Sequence, residues 1–134
     1  MKMKKTILLP LAFFLLLLSS CKKTSGEGGF ATLKGKVFIK DYDASFTILN
    51  AEYYGQGETV YIIYGNDPGV GNSVKTSYDG TFVFEFLRKG KYKVYVLSKD
   101  PSVPAASKTK EIAADVEITK KKQTIELIDL VILK

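Results

Sequence analysis

The feature that most constrains the fold is a period of two in the distribution of apolar residues. From Thr32 onward, apolar and polar residues alternate instead of recurring every 3.6 residues. Leu33, Val37 and Ile39, for example, alternate with lysines at 34, 36 and 40, with Gly35 in the apolar row. This alternation predicts strands with one buried face and one solvated face. Because this part of the chain shows no convincing helix of ten residues, the sequence predicts an all-β domain.

Turn residues separate several further runs of the same kind. Residues 58–64 are rich in β-branched and aromatic side chains, which is typical of a central strand. Asp79 and Gly80 lie between two alternating runs, and this pair favours a hairpin turn because glycine adopts positive φ without steric cost. The run after the turn is predicted to place three phenylalanines on one face: Phe82, Phe84 and Phe86.

The number and spacing of the runs favour a seven-stranded antiparallel β-sandwich. Later strands are predicted at residues 92–96, 111–119 and 123–133, with the three lysines at 120–122 as a solvated hairpin tip. Residues 41–57 fit neither a helix nor a strand well, and we predict an irregular excursion there. The inner faces are predicted to bury Val37, Ile39, Ile62, Phe82, Phe84, Tyr92, Val94 and Leu127.

The N-terminal segment has the organisation of an export signal. Three lysines are followed by twelve apolar residues at 7–18, counting one proline. A helix of twelve residues is too short to cross about 30 Å of hydrocarbon, which takes about 20 residues. The basic start and the short apolar run are typical of a secretory signal peptide.

The end of that segment, Leu18-Ser19-Ser20-Cys21, resembles the bacterial lipobox. The resemblance implies that residues 1–20 are a cleaved lipoprotein signal peptide and that the Cys21 thiol receives a diacylglycerol. The freed amine receives a further fatty acid, such as palmitate, in some members. Two or three acyl chains anchor a protein durably, because each buried methylene contributes about 0.8 kcal/mol. The alternative is an ordinary secreted protein with a cysteine at its cleavage site.

Residues 21–31 are predicted to be a flexible tether between the lipid and a β-sandwich domain at 32–134. Glycine, serine, threonine and charged residues dominate residues 22–30, without apolar periodicity. Lys22 and Lys23 would lie beside anionic head groups or remain solvated. Some surface lipoproteins carry an acidic run after the cysteine as a surface-export signal. With a single acid in the tether, the sequence leaves both the periplasmic and the cell-surface face of the outer membrane open.

Several motifs resemble carboxypeptidase regulatory-like domains. They are the strand at 33–37, the Thr-x-x-Asp-Gly-x-Phe pattern at 76–82, the Gly-x-Tyr-x-Val pattern at 90–94 and the closing strand at 124–133. The resemblance implies a seven-stranded transthyretin-like (prealbumin-like, Ig-like) sandwich. Such modules are usually accessory or interaction domains. Tyr92 resembles a core tyrosine of that family whose hydroxyl caps backbone groups at a strand corner.

Composition excludes several classes of chemistry. The 134 residues contain no histidine and one cysteine, which excludes Ser-His-Asp catalysis, histidine-ligated zinc, an internal disulfide and cysteine-cluster metal sites. We predict no catalytic residue, no metal and no cofactor. Removal of the leader, with its three lysines, lowers the net charge from +6 to +3, so there is little reason to expect nucleic-acid binding.

Candidate binding residues lie in the irregular stretch. Asp41 and Asp43 are two closely spaced carboxylates that predict either a calcium ligand pair or, more simply, a solvated strand end. Tyr53 and Tyr54 are adjacent, so in an extended segment they point in opposite directions and at least one is accessible. We predict that they form part of a contact surface for a sugar or a protein, since tyrosine offers a large contact area at low entropic cost.

Together these features predict a non-enzymatic, lipid-anchored envelope protein, most simply of the outer membrane, that presents a β-sandwich as an interaction module. Its partners would be the membrane, through Cys21, and an envelope protein or glycan. Two alternatives remain open. One is a carbohydrate-binding accessory protein of a nutrient-uptake system, and the other is a subunit of an adhesin or surface fibre.

Overall fold

The computed structural model describes residues 24–102 and 108–134, and this part of the chain is all-β with two sheets, as in a β-sandwich. The predicted fold class is therefore confirmed at the level of an all-β, sandwich-like architecture. The described residues contain nine strands rather than seven: β1 Glu27–Tyr42, β2 Leu49–Tyr54, β3 Thr59–Tyr64, β4 Asn72–Lys75, β5 Thr81–Leu87, β6 Gly90–Lys99, β7 Thr109–Ile118, β8 Thr124–Glu126 and β9 Leu130–Leu133.

The first sheet is organised around the long strand β1. Along one edge of β1, β5 and then β2 pair antiparallel with it. Along the other edge, β8 and β9 pair parallel with it. The sheet is thus mixed, and the prediction of an antiparallel sandwich is wrong for the last two strands. Both ends of the described chain therefore meet in one sheet, at neighbouring strands.

The second sheet has the order β4-β3-β6-β7 and is antiparallel throughout. The predicted hairpin at Asp79-Gly80 is wrong, because β4 and β5, on either side of the turn, belong to different sheets. Gly80 has the predicted positive φ, 81°, but its carbonyl accepts the backbone N–H of Val37 at 3.0 Å. The turn thus packs on β1 and directs the chain from one sheet to the other. The three lysines at 120–122 likewise link the two sheets and are not a hairpin tip.

The core lies between the sheets and takes residues from both. Seven of the eight residues predicted for the core are buried, and the remaining one, Leu127, packs against them while partly exposed. The prediction that three phenylalanines share a face is wrong for Phe86. It has a φ of 59° and is 67% exposed, whereas Leu87 is buried. A bulge in the pairing of β1 with β5 reverses the alternation here.

The fold begins earlier than the sequence predicts. Strand β1 starts at Glu27, and Ala31 is fully buried, so the second half of the predicted tether is part of the sheet. Gly26 donates its N–H to the hydroxyl of Tyr92 at 2.9 Å, and that hydroxyl donates to the carbonyl of Arg88 at 2.7 Å. Tyr92 therefore caps backbone groups at a corner, as predicted. Cys21 and the predicted signal peptide lie outside the described residues.

Strand β1 runs between two ends of the molecule. We call the end that holds Gly26, Arg88 and Gly90 the proximal end, since the described chain begins there. The end that holds Tyr42 and Lys99 is the distal end. Fifteen residue steps separate the first and last residues of β1, which corresponds to roughly 50 Å of extended strand. A group placed at the distal end is thus far from residues that precede the fold.

Candidate functional site

A cleft of about 620 Å³ opens at the distal end, where the last residues of β1 and β6 meet the start of β7 and the C-terminal residue of the chain. Its lining combines aromatic, acidic and cationic side chains, which is a composition suited to a polar ligand with an apolar ring face. The residues that supply this chemistry are Asp41, Tyr42, Asp43, Phe46, Lys99, Lys108 and Lys134.

Asp43 holds one wall of the cleft in place. One carboxylate oxygen, Oδ1, accepts the N–H groups of Thr47 and Ile48 at 2.8 and 2.9 Å, and the other, Oδ2, accepts the hydroxyl of Ser45. The bond from Ile48, followed by that from Ser45, lowers the pKa of Asp43 to about 2. The carboxylate is therefore ionised at neutral pH, and its oxygens accept hydrogen bonds from residues of its own loop.

Phe46 occupies a strained position in the same loop. Its φ is 57°, a left-handed conformation that is rare for a bulky side chain. The N–H of Phe46 donates to the Asp43 carbonyl at 3.0 Å, and its ring lies 6.1 Å from that of Tyr42 between centroids, tilted by 35°. Such backbone strain costs about 1–3 kcal/mol and persists where surrounding contacts determine it. Here those contacts place a second aromatic ring beside Tyr42 in the cleft.

The other wall of the cleft is cationic. Lys99 and Lys108 flank the connection from β6 to β7, and the N–H of Asp100 donates to the Lys108 carbonyl at 2.6 Å. Lys134 forms an ion pair with Glu58, and its carbonyl accepts the N–H of Tyr42 at 2.8 Å. The cleft can thus stack a ring against its aromatic side and bind hydroxyl or carboxylate groups on its lysine side.

The two aspartates predicted as a possible calcium pair both line this cleft. Within residues 24–102 and 108–134, no group of three or more histidine, cysteine, aspartate or glutamate side chains could hold a metal ion. The oxygens of Asp43 are occupied by hydrogen bonds from its own loop. The structure therefore favours the alternative of a strand end, which here carries a capped loop.

The predicted contact residues Tyr53 and Tyr54 lie in β2, so part of the stretch predicted to be irregular is an edge strand. Tyr53 pairs with the buried Ile39, and Tyr54 pairs with Phe38 on the outer face. The tyrosines are 44% and 41% exposed, which confirms the prediction that at least one is accessible. Because they lie on opposite faces of the sheet, they do not form one platform, and neither lines the distal cleft.

Tyr54 forms a small polar cluster on the outer face of the first sheet. Its hydroxyl donates to Asp129 at 2.9 Å, and the ring of Phe38 meets its ring edge-on at 5.2 Å between centroids. The ammonium of Lys36 lies 4.6 Å from the centroid of the Tyr54 ring. The hydrogen bond to Asp129, and then the negative charge of that carboxylate, raise the pKa of Tyr54. These contacts engage both the hydroxyl and a ring face of Tyr54 within the protein.

Sequence reasoning did not identify Phe46, Lys99, Lys108 and Lys134 as site residues. They come from three widely separated parts of the chain. The pairing of β1 with β9 and of β6 with β7, together with the packing of the two sheets on each other, brings them together. The sequence signal closest to the site was the Asp41-Tyr42-Asp43 triplet. It marked the right strand end, but its chemistry here is loop capping and aromatic lining.

Comparison with known proteins gives a similarity in fold. The chain matches no family model and no curated protein. Its fold is similar to the crystal structure of a candidate carbohydrate-binding protein from Pseudomonas aeruginosa, with a TM-score of 0.50 and 17% sequence identity over 80% of this chain and 91% of that chain. At this identity the similarity concerns the fold. No helix within the described ranges combines the length and apolar character needed to span a bilayer.

Proposed function

We propose that this chain is a non-enzymatic, lipid-anchored envelope protein that binds its ligand in the distal cleft. The observation that carries the proposal is the position of the cleft. The described chain starts at the proximal end, and the cleft lies at the other end of β1. A lipid on Cys21 would thus hold the sandwich at the membrane with the cleft directed away from it. The lipobox-like sequence at the end of the leader supports the anchor.

We propose carbohydrate as the ligand class, with acidic sugars preferred. Tyr42 and Phe46 offer aromatic surface for the apolar face of a sugar ring, and Lys99 and Lys108 offer cations for a carboxylate. Hydrogen bonds from its own loop stabilise the negative charge of Asp43 and occupy its oxygens, so the preference for an acidic ligand depends on the lysines. The likeness in fold to a candidate carbohydrate-binding protein supports the same class of ligand.

Metabolic labelling with a radioactive fatty acid tests the anchor. We expect label on the wild-type protein and none on Cys21→Ser, because the thiol is the proposed attachment point. Cell fractionation would place the labelled protein in the outer membrane, and protease treatment of intact cells would report which face carries the domain. An unlabelled wild type, or equal label on Cys21→Ser, would refute the anchor.

A glycan array with the mature protein in detergent tests the ligand. We expect binding to acidic glycans, with at least a tenfold loss in Tyr42→Ala, because truncation of an aromatic anchor in a binding site typically costs about 2 kcal/mol or more. Tyr78→Ala is the matched control, since Tyr78 is 83% exposed and lies outside the cleft. Equal losses in both variants, or no binding to any glycan class, would count against a carbohydrate site in this cleft.

A further inference from the structure

The proximal end carries two exposed phenylalanines, one of which, Phe30, lies beside a group of cationic side chains. Phe86 is 67% exposed and Phe30 is 60% exposed. Exposed apolar side chains that cluster next to lysines or arginines are typical of surfaces that lie in the head-group region of a bilayer. From this arrangement we propose that the proximal end docks directly on the lipid surface, so that the sandwich stands in a fixed orientation. This inference rests on the proposed lipid anchor.

The backbone at Phe86 is consistent with such a surface. In a regular strand, this residue would follow the inward direction of Phe82 and Phe84, and its ring would join the core. The left-handed conformation at Phe86 instead turns the ring outward and lets Leu87 take the buried position. An exposed bulky ring on a strained backbone is unfavourable in water. Insertion into the interface of a bilayer would remove its apolar surface from water.

The charge of the same region is complementary to anionic head groups. A cleft of about 330 Å³ at the proximal end is lined by Phe30, Leu87, Arg88, Lys89 and Lys121, among others. The ammonium of Lys121 lies 5.5 Å from the centroid of the Phe30 ring, which places a cation directly beside an exposed aromatic side chain. Cations with interleaved aromatic rings match the phosphate and interfacial layers of a membrane.

The short length of chain before the fold would bring this surface close to the bilayer once the anchor is present. Three residue steps separate Cys21 from Thr24 in the sequence, which span at most about 11 Å. From Ser25 onward the chain packs on the domain, with the Ser25 side chain against Gly65 and Gly90. A lipid on Cys21 would therefore hold the proximal end within about one head-group layer of the bilayer. The cationic, aromatic surface is at the end that meets it.

Lipid-quenching measurements on the lipidated protein in nanodiscs test this orientation. Cys21 is the single cysteine of the chain, so once it is acylated an introduced cysteine is the only free thiol. We would attach bimane at Lys122→Cys near the proximal end or at Ala44→Cys in the distal loop, and use nitroxide-labelled lipids as quenchers. We expect at least threefold stronger quenching at position 122 than at position 44 in nanodiscs with anionic lipid. Equal quenching at both positions would overturn the inference.

Variants separate a docked surface from simple tethering. Two double variants should each reduce quenching at position 122 at least twofold: Phe30→Ser with Phe86→Ser, and Arg88→Gln with Lys89→Gln. Because salt screens charges, 0.5 M salt should lower the quenching that depends on Arg88 and Lys89 more than the quenching that depends on the phenylalanines. Ile48→Ser, which changes an apolar residue that is 62% exposed in the distal loop, is the matched control and should change nothing. Unchanged quenching in the proximal variants would overturn the docking surface.

Mass spectrometry of the same preparations distinguishes the two proposals. A protein with the mass of a diacylated or triacylated Cys21 but without oriented quenching would leave the anchor intact and refute only the docked surface. A protein without acyl chains would refute the anchor, and with it the inference. If quenching at position 122 appears only when a co-purified protein is present, the proximal surface binds that protein, and the lipid docking is wrong.

Discussion

The two ends of the molecule both contain a phenylalanine with a left-handed backbone, but they use it differently. At the distal end, Phe46 is half-buried beside Tyr42 in a loop that Asp43 caps with hydrogen bonds at the surface. At the proximal end, Phe86 points into solvent above a corner that the buried hydroxyl of Tyr92 closes. The same backbone strain thus supports an aromatic cleft wall at one end and an exposed apolar surface at the other.

The two ends of the molecule therefore have different roles, one in stability and one in shaping the cleft. The proximal end is closed by hydrogen bonds that are buried, so that removing one group leaves backbone partners without water. The distal end is open, and its order comes from an exposed, charged cap. We therefore expect changes at the proximal end to affect global stability more, and changes at the distal end to affect the cleft more.

Tyr92→Phe should have the largest effect on stability. The substitution leaves the Gly26 N–H and the Arg88 carbonyl without their partner at a position that is 2% exposed, so we expect a loss of about 1–3 kcal/mol in the free energy of unfolding. Urea denaturation followed by tyrosine fluorescence would measure it. Tyr64→Phe is the control, because its hydroxyl donates to the exposed carboxylate of Glu27, which water can solvate in its place, so this substitution should cost less than Tyr92→Phe. Similar losses in both variants would contradict the proposed closure.

Replacing each left-handed phenylalanine by glycine should affect the free energy of unfolding differently at the two ends. We expect Phe86→Gly to be about 1 kcal/mol more stable than Phe46→Gly, relative to the wild type. Glycine relieves a left-handed conformation that costs about 1–2 kcal/mol and loses about 0.5–1 kcal/mol through the entropy of the unfolded chain. Phe86→Gly should therefore be neutral or stabilising in urea titrations. Phe46→Gly also loses the contact with Tyr42, worth about 0.5–1.5 kcal/mol, and should not stabilise. It should also weaken glycan binding, whereas Phe86→Gly should not.

The smallest expected effect is the dependence of stability on pH. Asp43 at the distal end should act at acid pH, and Tyr64 at the proximal end should act at alkaline pH. The folded pKa of Asp43 is about 2 against an ordinary 3.8, so its stabilisation is complete above about pH 4 and is lost as the pH falls through 2. Burial, and then the bond to Glu27, raises the pKa of Tyr64 to about 12 against an ordinary 10.0. Its stabilisation is complete below pH 10 and is lost as the pH rises through 12.

Carbon-13 NMR of the Asp43 carboxyl and ultraviolet titration of tyrosinate formation would check both windows. Asp43→Asn should remove the acid resonance and disturb the distal loop without shifting Tyr64. A midpoint near 4 for Asp43, or near 10 for Tyr64, would show that the groups are not held as the structure places them.

The sequence predicted the parts of the fold that depend on local alternation. Val37, Ile39 and Val94 are buried as their period of two required. It did not predict which sheet a strand joins, because a turn such as Asp79-Gly80 has the same residues whether it closes a hairpin or passes between sheets. The choice is made by contacts distant in sequence, such as the bond from Val37 to Gly80.

The site was less predictable than the core for the same reason. Tyr53 and Tyr54 were predicted to form a contact surface because they are adjacent, but in a strand adjacent side chains point to opposite faces of the sheet. The aromatic and cationic walls of the distal cleft are assembled by strand pairing over many residues, and Phe46 owes its position to a loop held by Asp43. The bulge at Phe86 reverses the alternation of buried and exposed residues in β5, whereas the sequence pattern predicts that the alternation continues.

The position of β1 between β5 and β9 has a consequence for the order in which the molecule is made. A ribosome releases the first strand early, but the residues of β9 that complete its second edge, up to Leu133, come last. Until then, β1 exposes unpaired amide groups along most of its length, a template for association with other nascent copies. The first sheet can therefore close only after β9 has been made, more than a hundred residues after the start of β1.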